Sequence, residues 1–191
     1  MADRGRYRKR RYAVLSAAAP GHTLQIQPHQ PHYQSRDYNR LNGGVQRYFE
    51  PINETILSGS AMSSLLTLAH GLFDRLLPCS GWHIEVHQFR IEADGAQAAL
   101  PTPEGPHRDG VTFVMMLMVN RVNVVGGETS LYDREHRLLE EFILTSPLDM
   151  VIVDDERTRH AVAPIAASKP NQVGYRDVLV ATFRKQFDDI H

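Results

Sequence analysis

The sequence predicts a mainly β fold, a sandwich or barrel with one helix packed outside it. From residue 82 onward it has short segments rich in β-branched and aromatic residues, separated by turn residues and without helical patterns between them. Before these segments, residues 60–77 carry apolar side chains at helical spacing. A chain of 191 residues, of which 42% are hydrophobic, fits one domain over residues 1–191.

The first part of the chain predicts a basic leader over residues 1–20, because six basic residues lie between Arg4 and Arg11. A solvated or ion-paired leader is favoured over a nucleic-acid arm, since the run is short and the rest of the chain is not basic. In residues 20–51, prolines and a Gly-Gly pair indicate turns and short extended pieces. The core barrel is then expected over about residues 82–185.

One helix is predicted over residues 60–77, before the barrel begins. Pro78 follows its end and cannot continue it. Its predicted buried face consists of Leu65, Leu68, Ala69, Leu72, Phe73, Leu76 and Leu77.

The strands of the barrel are predicted from their residue types and from the turns between them. Residues 111–119 form a continuous apolar run, which is typical of a strand buried on both faces. Ser146 and Pro147 indicate a turn. The predicted strands are 82–91, 111–119, 129–132, 138–144, 150–153, 161–165 and 178–183.

Bulk properties argue against several classes of partner. A formal net charge of −1 gives no overall attraction to nucleic acid or acidic membranes. No apolar run reaches the roughly 18 residues of a membrane span. The single cysteine cannot form an internal disulfide, and the N-terminus lacks the apolar stretch of a secretory signal. We therefore expect a cytoplasmic protein with no membrane partner and no nucleic-acid partner; the oligomeric state is left open.

A metal site is predicted where residues 106–110, PHRDG, precede the buried strand. In an extended segment His107 and Asp109 point to the same side, so both can ligate one ion. His160, near the start of a later strand, is the candidate third ligand. Two imidazoles and one carboxylate form a facial set that suits iron(II) and leaves coordination positions open. Taken alone, His-x-Asp is also typical of a surface turn.

An arginine at the start of the last strand predicts a binding site for a carboxylate. Arg176 offers a planar guanidinium that matches a carboxylate with two hydrogen bonds. Thr182 and Arg184 share its alternation face. Thr182 is a candidate second contact to the same carboxylate, and Arg184 is the alternative guanidinium. A salt bridge to Asp177 or a position on the rim is the competing interpretation of Arg176.

These motifs together resemble the bacterial iron(II)/2-oxoglutarate dioxygenases that include L-isoleucine hydroxylase and related free-amino-acid hydroxylases. The likeness covers most of the chain and is specific when the motifs are taken as a set. The matching segments are 30–35 (QPHYQS), 42–44 (NGG), 104–111 (EGPHRDGV), 121–129 (RVNVVGGET), 159–160 (RH) and 174–179 (GYRDVL).

The resemblance implies a double-stranded β-helix, or jelly roll, and iron(II), 2-oxoglutarate and O2 as cofactor and co-substrates. His107, Asp109 and His160 match the iron ligands of the family, and Arg176 matches the arginine that binds the distal carboxylate of 2-oxoglutarate. The implied reaction hydroxylates an aliphatic carbon of a free L-amino acid or similar small molecule, with release of succinate and CO2.

A free amino acid needs one partner for its ammonium and another for its carboxylate. Glu128, with either Arg121 or Arg90, is chemically suited to these roles, although all three are also typical surface charges. His83 and His87 are candidates to line the pocket. The alternatives to this function are a cupin-type metal enzyme that does not use 2-oxoglutarate, and a non-enzymatic jelly-roll binding module.

Overall fold

The computed structural model describes residues 7–18, 21, 23–38, 41, 43–78, 81–94, 98–169 and 171–186. Cys79 and the basic residues before Tyr7 lie outside these ranges. The described strands are β1 (Arg8–Ala17), β2 (Gln25–Ile26), β3 (Glu50–Pro51), β4 (Gly81–Ala93), β5 (Phe113–Val122), β6 (Val124–Gly126), β7 (Thr129–Tyr132), β8 (Leu138–Phe142), β9 (Met150–Asp154), β10 (Arg159–Val162), β11 (Ile165–Ala167) and β12 (Gly174–Gln186). The described helices are α1 (Glu54–Leu57) and α2 (Ser60–Leu76).

A large sheet has the strand order β2-β1-β4-β12-β5-β9, with β3 paired to β1. At its centre β4 and β12 pair antiparallel along their whole lengths. Two small sheets, β10-β7-β8 and β11-β6, complete the architecture of the described residues. The predicted mainly β class is confirmed, and the fold is the double-stranded β-helix, or jelly roll.

The two faces of the large sheet have different environments because side chains alternate along each strand. On β4, Trp82 and Ile84 are buried in the main apolar core. His83, Glu85 and His87 point to the opposite face, where they line a cavity. One face of the sheet therefore packs against a helix, and the other carries polar groups.

Helix α2 covers the apolar face and ends close to the predicted residue. The predicted buried face was partly wrong, because Leu68 and Leu76 are 66% and 60% exposed. Phe73 sets the orientation of the helix, since its ring stacks on Phe113 with the centroids 4.5 Å apart. The buried residues of the helix are Met62, Leu66, Ala69, His70 and Phe73.

Each predicted strand corresponds to a strand of the structure, but most of the bounds differ, and β6 was not predicted. The predicted strand 129–132 coincides with β7, whereas β4 and β12 extend beyond the predicted ends. The predicted strand 161–165 is divided between β10 and β11. Neither described helix has the length and apolarity that crossing a bilayer requires.

The prediction of a basic leader over residues 1–20 is wrong for residues 8–17. They form β1, which pairs antiparallel with β4 over its full length, so the barrel starts well before residue 82. The charge of Arg10 is accommodated inside because its guanidinium carbon lies 4.1 Å from the ring centroid of Phe49 and 4.9 Å from that of Phe89. Such cation–π contacts compensate part of the lost hydration.

Candidate metal centre

A cavity of about 260 Å³ lies against the polar face of the large sheet. Side chains from β1, β4, β10 and β12 line it, together with residues of the loop that precedes β5. His107, Asp109 and His160 lie in its wall, as does Arg176. The residues predicted for the metal and for the carboxylate therefore share one cavity.

The backbone brings His107 and His160 together although they are far apart in sequence. Each donates its backbone N–H to the carbonyl of the other, at 3.0 and 2.9 Å. The two rings have centroids 4.5 Å apart. The Nε2 atoms of His107 and His160 lie 3.8 and 3.6 Å from the carboxylate oxygens of Asp109. The structure thus places the three predicted ligands side by side.

The orientation of the imidazoles suits metal binding through Nε2. His107 Nδ1 lies 3.0 Å from the carbonyl of Gly105, so Nδ1 carries the proton and Nε2 keeps its lone pair. His160 Nδ1 is buried and has no hydrogen-bond partner among the described residues. Its Nε2 is the atom that approaches Asp109. Both rings can therefore offer Nε2 to one ion.

The protonation states also suit a metal ion. Burial, with a smaller contribution from His107, lowers the pKa of His160 to about 4, so this imidazole is neutral near pH 7. Burial by itself would raise the pKa of Asp109, but the neighbouring imidazoles outweigh it and the pKa lies below its ordinary value. One carboxylate anion and neutral imidazole fit a divalent cation.

The donor set fits an iron(II) site with open positions. The ligand atoms of His107, Asp109 and His160 all lie within 4.8 Å of one another. Glu104 is a further carboxylate nearby, 3.5 Å from His107 Nε2, but it does not belong to this group of mutually close atoms. Two imidazoles and one carboxylate differ from the four-ligand sets of structural zinc sites.

A buried aspartate holds the loop that carries Asp109. The carboxylate of Asp155 is fully buried and accepts hydrogen bonds from the backbone N–H groups of Asp109, Gly110 and Val111, at 2.9, 2.8 and 3.1 Å. Burial and the charge of Asp109 raise the pKa of Asp155 to about 6. Asp155 was missed in the sequence analysis. The only signal for it in the sequence is its position directly after β9.

Glycine is required at the turn after Asp109. Gly110 has a φ of +79°, and a Cβ there would lie 2.5 Å from the Tyr38 ring. Most L side chains are strained at such a φ. The turn and Asp155 together explain why the segment after His107 folds back sharply into β5.

Arg176 is a buried cation that has no counterion among the residues that the structure describes. It is 4% exposed, and its Nε has no partner in the described part of the chain. Burial, with Arg121 contributing, lowers the pKa of Arg176 to about 10, so it remains cationic at neutral pH. Leaving a buried cation unpaired is costly, which makes this position suited to an anionic ligand.

Arg121 lies behind Arg176 instead of in the cavity wall. Its Nη2 donates to the carbonyl of Gly126 at 2.6 Å, and its Nη1 is buried without a partner among the described residues. A Cβ at Gly127 would lie 3.2 Å from Arg121 Nη1 and 3.9 Å from Arg176 Cδ. The two guanidinium groups therefore combine their positive charge at one end of the cavity.

The other end of β12 carries Thr182 and Arg184, which also line the cavity. Thr182 is six residues from Arg176 on one strand, a separation of about 20 Å. One small dicarboxylate cannot contact both, so the structure contradicts the predicted sharing of a carboxylate by Arg176 and Thr182. Arg184 is eight residues from Arg176 on the same strand and lines the other part of the cavity, and its role as the alternative guanidinium stays a prediction.

Besides Arg121, two further predicted substrate residues do not line the cavity. Arg90 lies on the opposite face of β4 and forms two 2.7 Å hydrogen bonds to the carboxylate of Asp177. Glu128 acts electrostatically on Arg121, and its backbone carbonyl accepts the N–H of Ala163 at 2.8 Å. The structure therefore separates both residues from the space where a small molecule would bind.

A second group of possible ligands lies in the same wall. His32, Glu85 and His87 hold ligand atoms within 4.8 Å of one another. Arg10 Nη2 donates to Nδ1 of His87 at 2.8 Å, so the lone pair of Nδ1 is occupied, Nε2 carries the proton, and His87 has no free lone pair for a metal ion. The sequence marked His87 as a possible pocket residue, but Glu85 was missed, although His83, Glu85 and His87 alternate on one strand.

Comparison with known proteins gives a consistent picture. A family model described as 2OG-Fe dioxygenase matches residues 1–182. The crystal structure of a bsmA homolog from Methylobium petroleophilum superimposes with a TM-score of 0.89 and is 34% identical, covering 100% of this chain and 77% of the other.

Two curated relatives are named for their reactions. L-isoleucine-4-hydroxylase of Bacillus thuringiensis is 26% identical over 80% of this chain. The 3(1)-hydroxy-L-isoleucine 4-dioxygenase of Pantoea ananatis is 25% identical over 81% of it. The matched region spans 64% of the length of each of these relatives.

Proposed function

The chain belongs to the 2OG-Fe dioxygenase family, and from this membership we propose that it is an iron(II)- and 2-oxoglutarate-dependent dioxygenase. We propose further that it hydroxylates an aliphatic carbon of a free L-amino acid. The names of the two curated relatives support this substrate class. In the reaction, 2-oxoglutarate and O2 are converted to succinate and CO2, and one oxygen atom enters the substrate.

One observation carries the proposal: a group of two imidazoles and one carboxylate shares a cavity with a buried arginine whose Nε has no hydrogen-bond partner in the described part of the chain. His107, Asp109 and His160 would hold the iron, and Arg176 would hold the distal carboxylate of 2-oxoglutarate. When bound, the iron would activate O2 with two electrons from 2-oxoglutarate, and this would supply the oxidising power that breaks an unactivated C–H bond.

The residues of this chain bind, orient and shield the reactants. Arg176 would hold one carboxylate of the co-substrate, and Arg121 adds positive charge behind it. Asp155 fixes the backbone beside Asp109, which sets the direction of that carboxylate. Apolar side chains in the cavity wall, including Val178 and Val180, exclude water from the reaction space.

The test is anaerobic addition of iron(II) and 2-oxoglutarate to the purified protein, followed by exposure to O2 with a panel of aliphatic L-amino acids. We expect a weak visible charge-transfer band before O2 is added and amino-acid-dependent succinate release afterwards. A protein that gives neither the band nor succinate would refute the proposal. Succinate released only with other small molecules would refute the substrate class alone.

A further inference from the structure

We infer that Glu85 binds the ammonium group of the amino-acid substrate and that Arg184 binds its carboxylate. This inference rests on the proposed function and names the groups that select an amino acid. Both residues line the same cavity as the candidate metal ligands.

Glu85 is placed on the central strand of the large sheet with its side chain in the cavity wall. It pairs in register with Thr182 of β12, and its side chain is 12% exposed. It is therefore a largely desolvated carboxylate that a small molecule in the cavity can reach. Such a group binds a cation more strongly than a carboxylate in water does.

The carboxylate of Glu85 is partly satisfied and retains capacity. Oε1 accepts a hydrogen bond from the Tyr12 hydroxyl at 2.7 Å, and Oε2 lies 3.0 Å from His32 Nδ1. His83 Nε2 and His87 Nε2 are 3.5 and 3.7 Å away, beyond the usual range of N–H···O hydrogen bonds. Since an ionised carboxylate offers about four acceptor sites, roughly two remain for an ammonium group.

The surroundings keep Glu85 ionised. Burial opposes ionisation, but the adjoining imidazoles of His32, His83 and His87 outweigh it and hold the pKa of Glu85 far below its usual range. Burial and Glu85 together raise the pKa of Tyr12, so its hydroxyl stays protonated and donates. An ammonium group fits beside this anion more readily than a metal ion, because His87 Nδ1 accepts a hydrogen bond from Arg10 and His87 has no free lone pair to ligate a metal.

Arg184 supplies the complementary charge at a suitable position. It pairs in register with His83, which makes it the diagonal neighbour of Glu85 across β4 and β12. Diagonal Cβ atoms lie about 7–8 Å apart, within reach of long side chains. Glu85 raises the pKa of the Tyr12 hydroxyl and Arg184 lowers it, so the two charged groups share one electrostatic environment. The α-ammonium and α-carboxylate of one amino acid can therefore lie between Glu85 and Arg184.

Glu104 is the rival acceptor for the ammonium. It lines the cavity and lies 3.5 Å from Nε2 of His107, a candidate metal ligand. An ammonium bound there would bring the α-carbon next to the iron. Binding at Glu85 instead leaves the aliphatic side chain free to extend toward the metal, as hydroxylation of that side chain requires.

The experiment is anaerobic calorimetry of the protein loaded with iron(II) and 2-oxoglutarate. The probes are L-isoleucine, 3-methylpentanoate, which lacks the amine, and 2-methylbutylamine, which lacks the carboxylate. Glu85→Gln should raise the Kd of isoleucine and of the amine at least about tenfold and leave that of 3-methylpentanoate unchanged. Arg184→Gln should raise the Kd of isoleucine and of 3-methylpentanoate and leave the amine unaffected.

Glu92→Gln is the matched control, because Glu92 lies on the same strand but pairs with Lys9 at 2.6 Å outside the cavity. It should bind all three probes as the wild type does. The inference is overturned if Glu104→Gln, and not Glu85→Gln, weakens the amine-bearing probes, or if the wild type does not bind isoleucine. Because calorimetry needs no turnover, isoleucine binding through Glu85 without any succinate release would uphold this inference and refute the oxygenase function.

Discussion

Asp155 is the residue whose replacement tests most sharply how the fold positions the candidate metal site. Asp155→Ala removes the acceptor of three partly buried backbone N–H groups, those of Asp109, Gly110 and Val111. Each unsatisfied N–H costs about 1–3 kcal/mol, but the variant also avoids burying a carboxylate whose pKa is raised to about 6. We therefore expect a net loss of about 3 kcal/mol in the free energy of unfolding.

In a chain of this length, that loss corresponds to a fall in Tm of roughly 6–12 °C. We also expect a weakening of metal binding by about 10–100-fold, because the loop beside Asp109 loses its support. Asp155→Asn keeps one oxygen acceptor and should give intermediate values. The assays are urea unfolding of the metal-free protein and anaerobic titration with Mn(II) followed by electron paramagnetic resonance.

Asp149→Ala is the matched control. Asp149 likewise accepts backbone N–H groups, those of Thr145 and Ser146 at 2.8 Å, but in an exposed turn that does not line the cavity. Its replacement should change stability by less than about 1 kcal/mol and leave metal affinity unchanged. An Asp155→Ala protein that is destabilised but binds Mn(II) as tightly as the wild type would refute the positioning role.

Three further predictions concern the site and its surroundings. His107→Ala should lower succinate release more than about 100-fold, with an unchanged far-ultraviolet circular dichroism spectrum; activity near that of the wild type would remove His107 from the metal site. Arg176→Gln should raise the apparent KM for 2-oxoglutarate at least about 30-fold, with little change in Mn(II) affinity, and an unchanged KM in steady-state assays would contradict its role. Burial lowers the pKa of His87 from 6.5 to about 3, so below pH 6.5 the unfolded chain binds a proton that the folded chain resists. Metal-free protein should therefore lose about 2 kcal/mol from this residue between pH 7 and 5. His87→Gln should show a correspondingly smaller loss in urea unfolding, and the exposed control His29→Gln the full loss; equal losses in both variants would refute the buried neutral state.

The sequence predicted the fold class and the grouping of the metal ligands because both depend on local patterns. Alternation within residues 106–110 places His107 and Asp109 on one side wherever the segment is extended. The approach of His160 could only be inferred from resemblance and ligand chemistry. In the structure it depends on backbone hydrogen bonds between His107 and His160, across more than 50 residues.

Other features depend on long-range contacts that the sequence does not display. Strand β1 was predicted to be a charged leader because basic residues occupy both sets of alternating positions, Arg8 and Arg10 on one side and Lys9 and Arg11 on the other. The alternation of apolar and polar residues that indicates a strand is therefore not visible in this part of the sequence. Burial of the Arg10 guanidinium in β1 becomes favourable through aromatic rings from other segments of the chain, such as that of Phe49. Formal charge alone likewise suggested Glu128 and Arg90 for the substrate, whereas strand registry determines which charged side chains enter the cavity.

The central claim is that one ion binds between His107, Asp109 and His160. The most direct measurement is anomalous diffraction from crystals grown with Mn(II) and 2-oxoglutarate. The account predicts an anomalous peak at coordination distance from these three side chains, with electron density for the co-substrate reaching Arg176. A peak between His32, Glu85 and His87, with none beside His160, would contradict it.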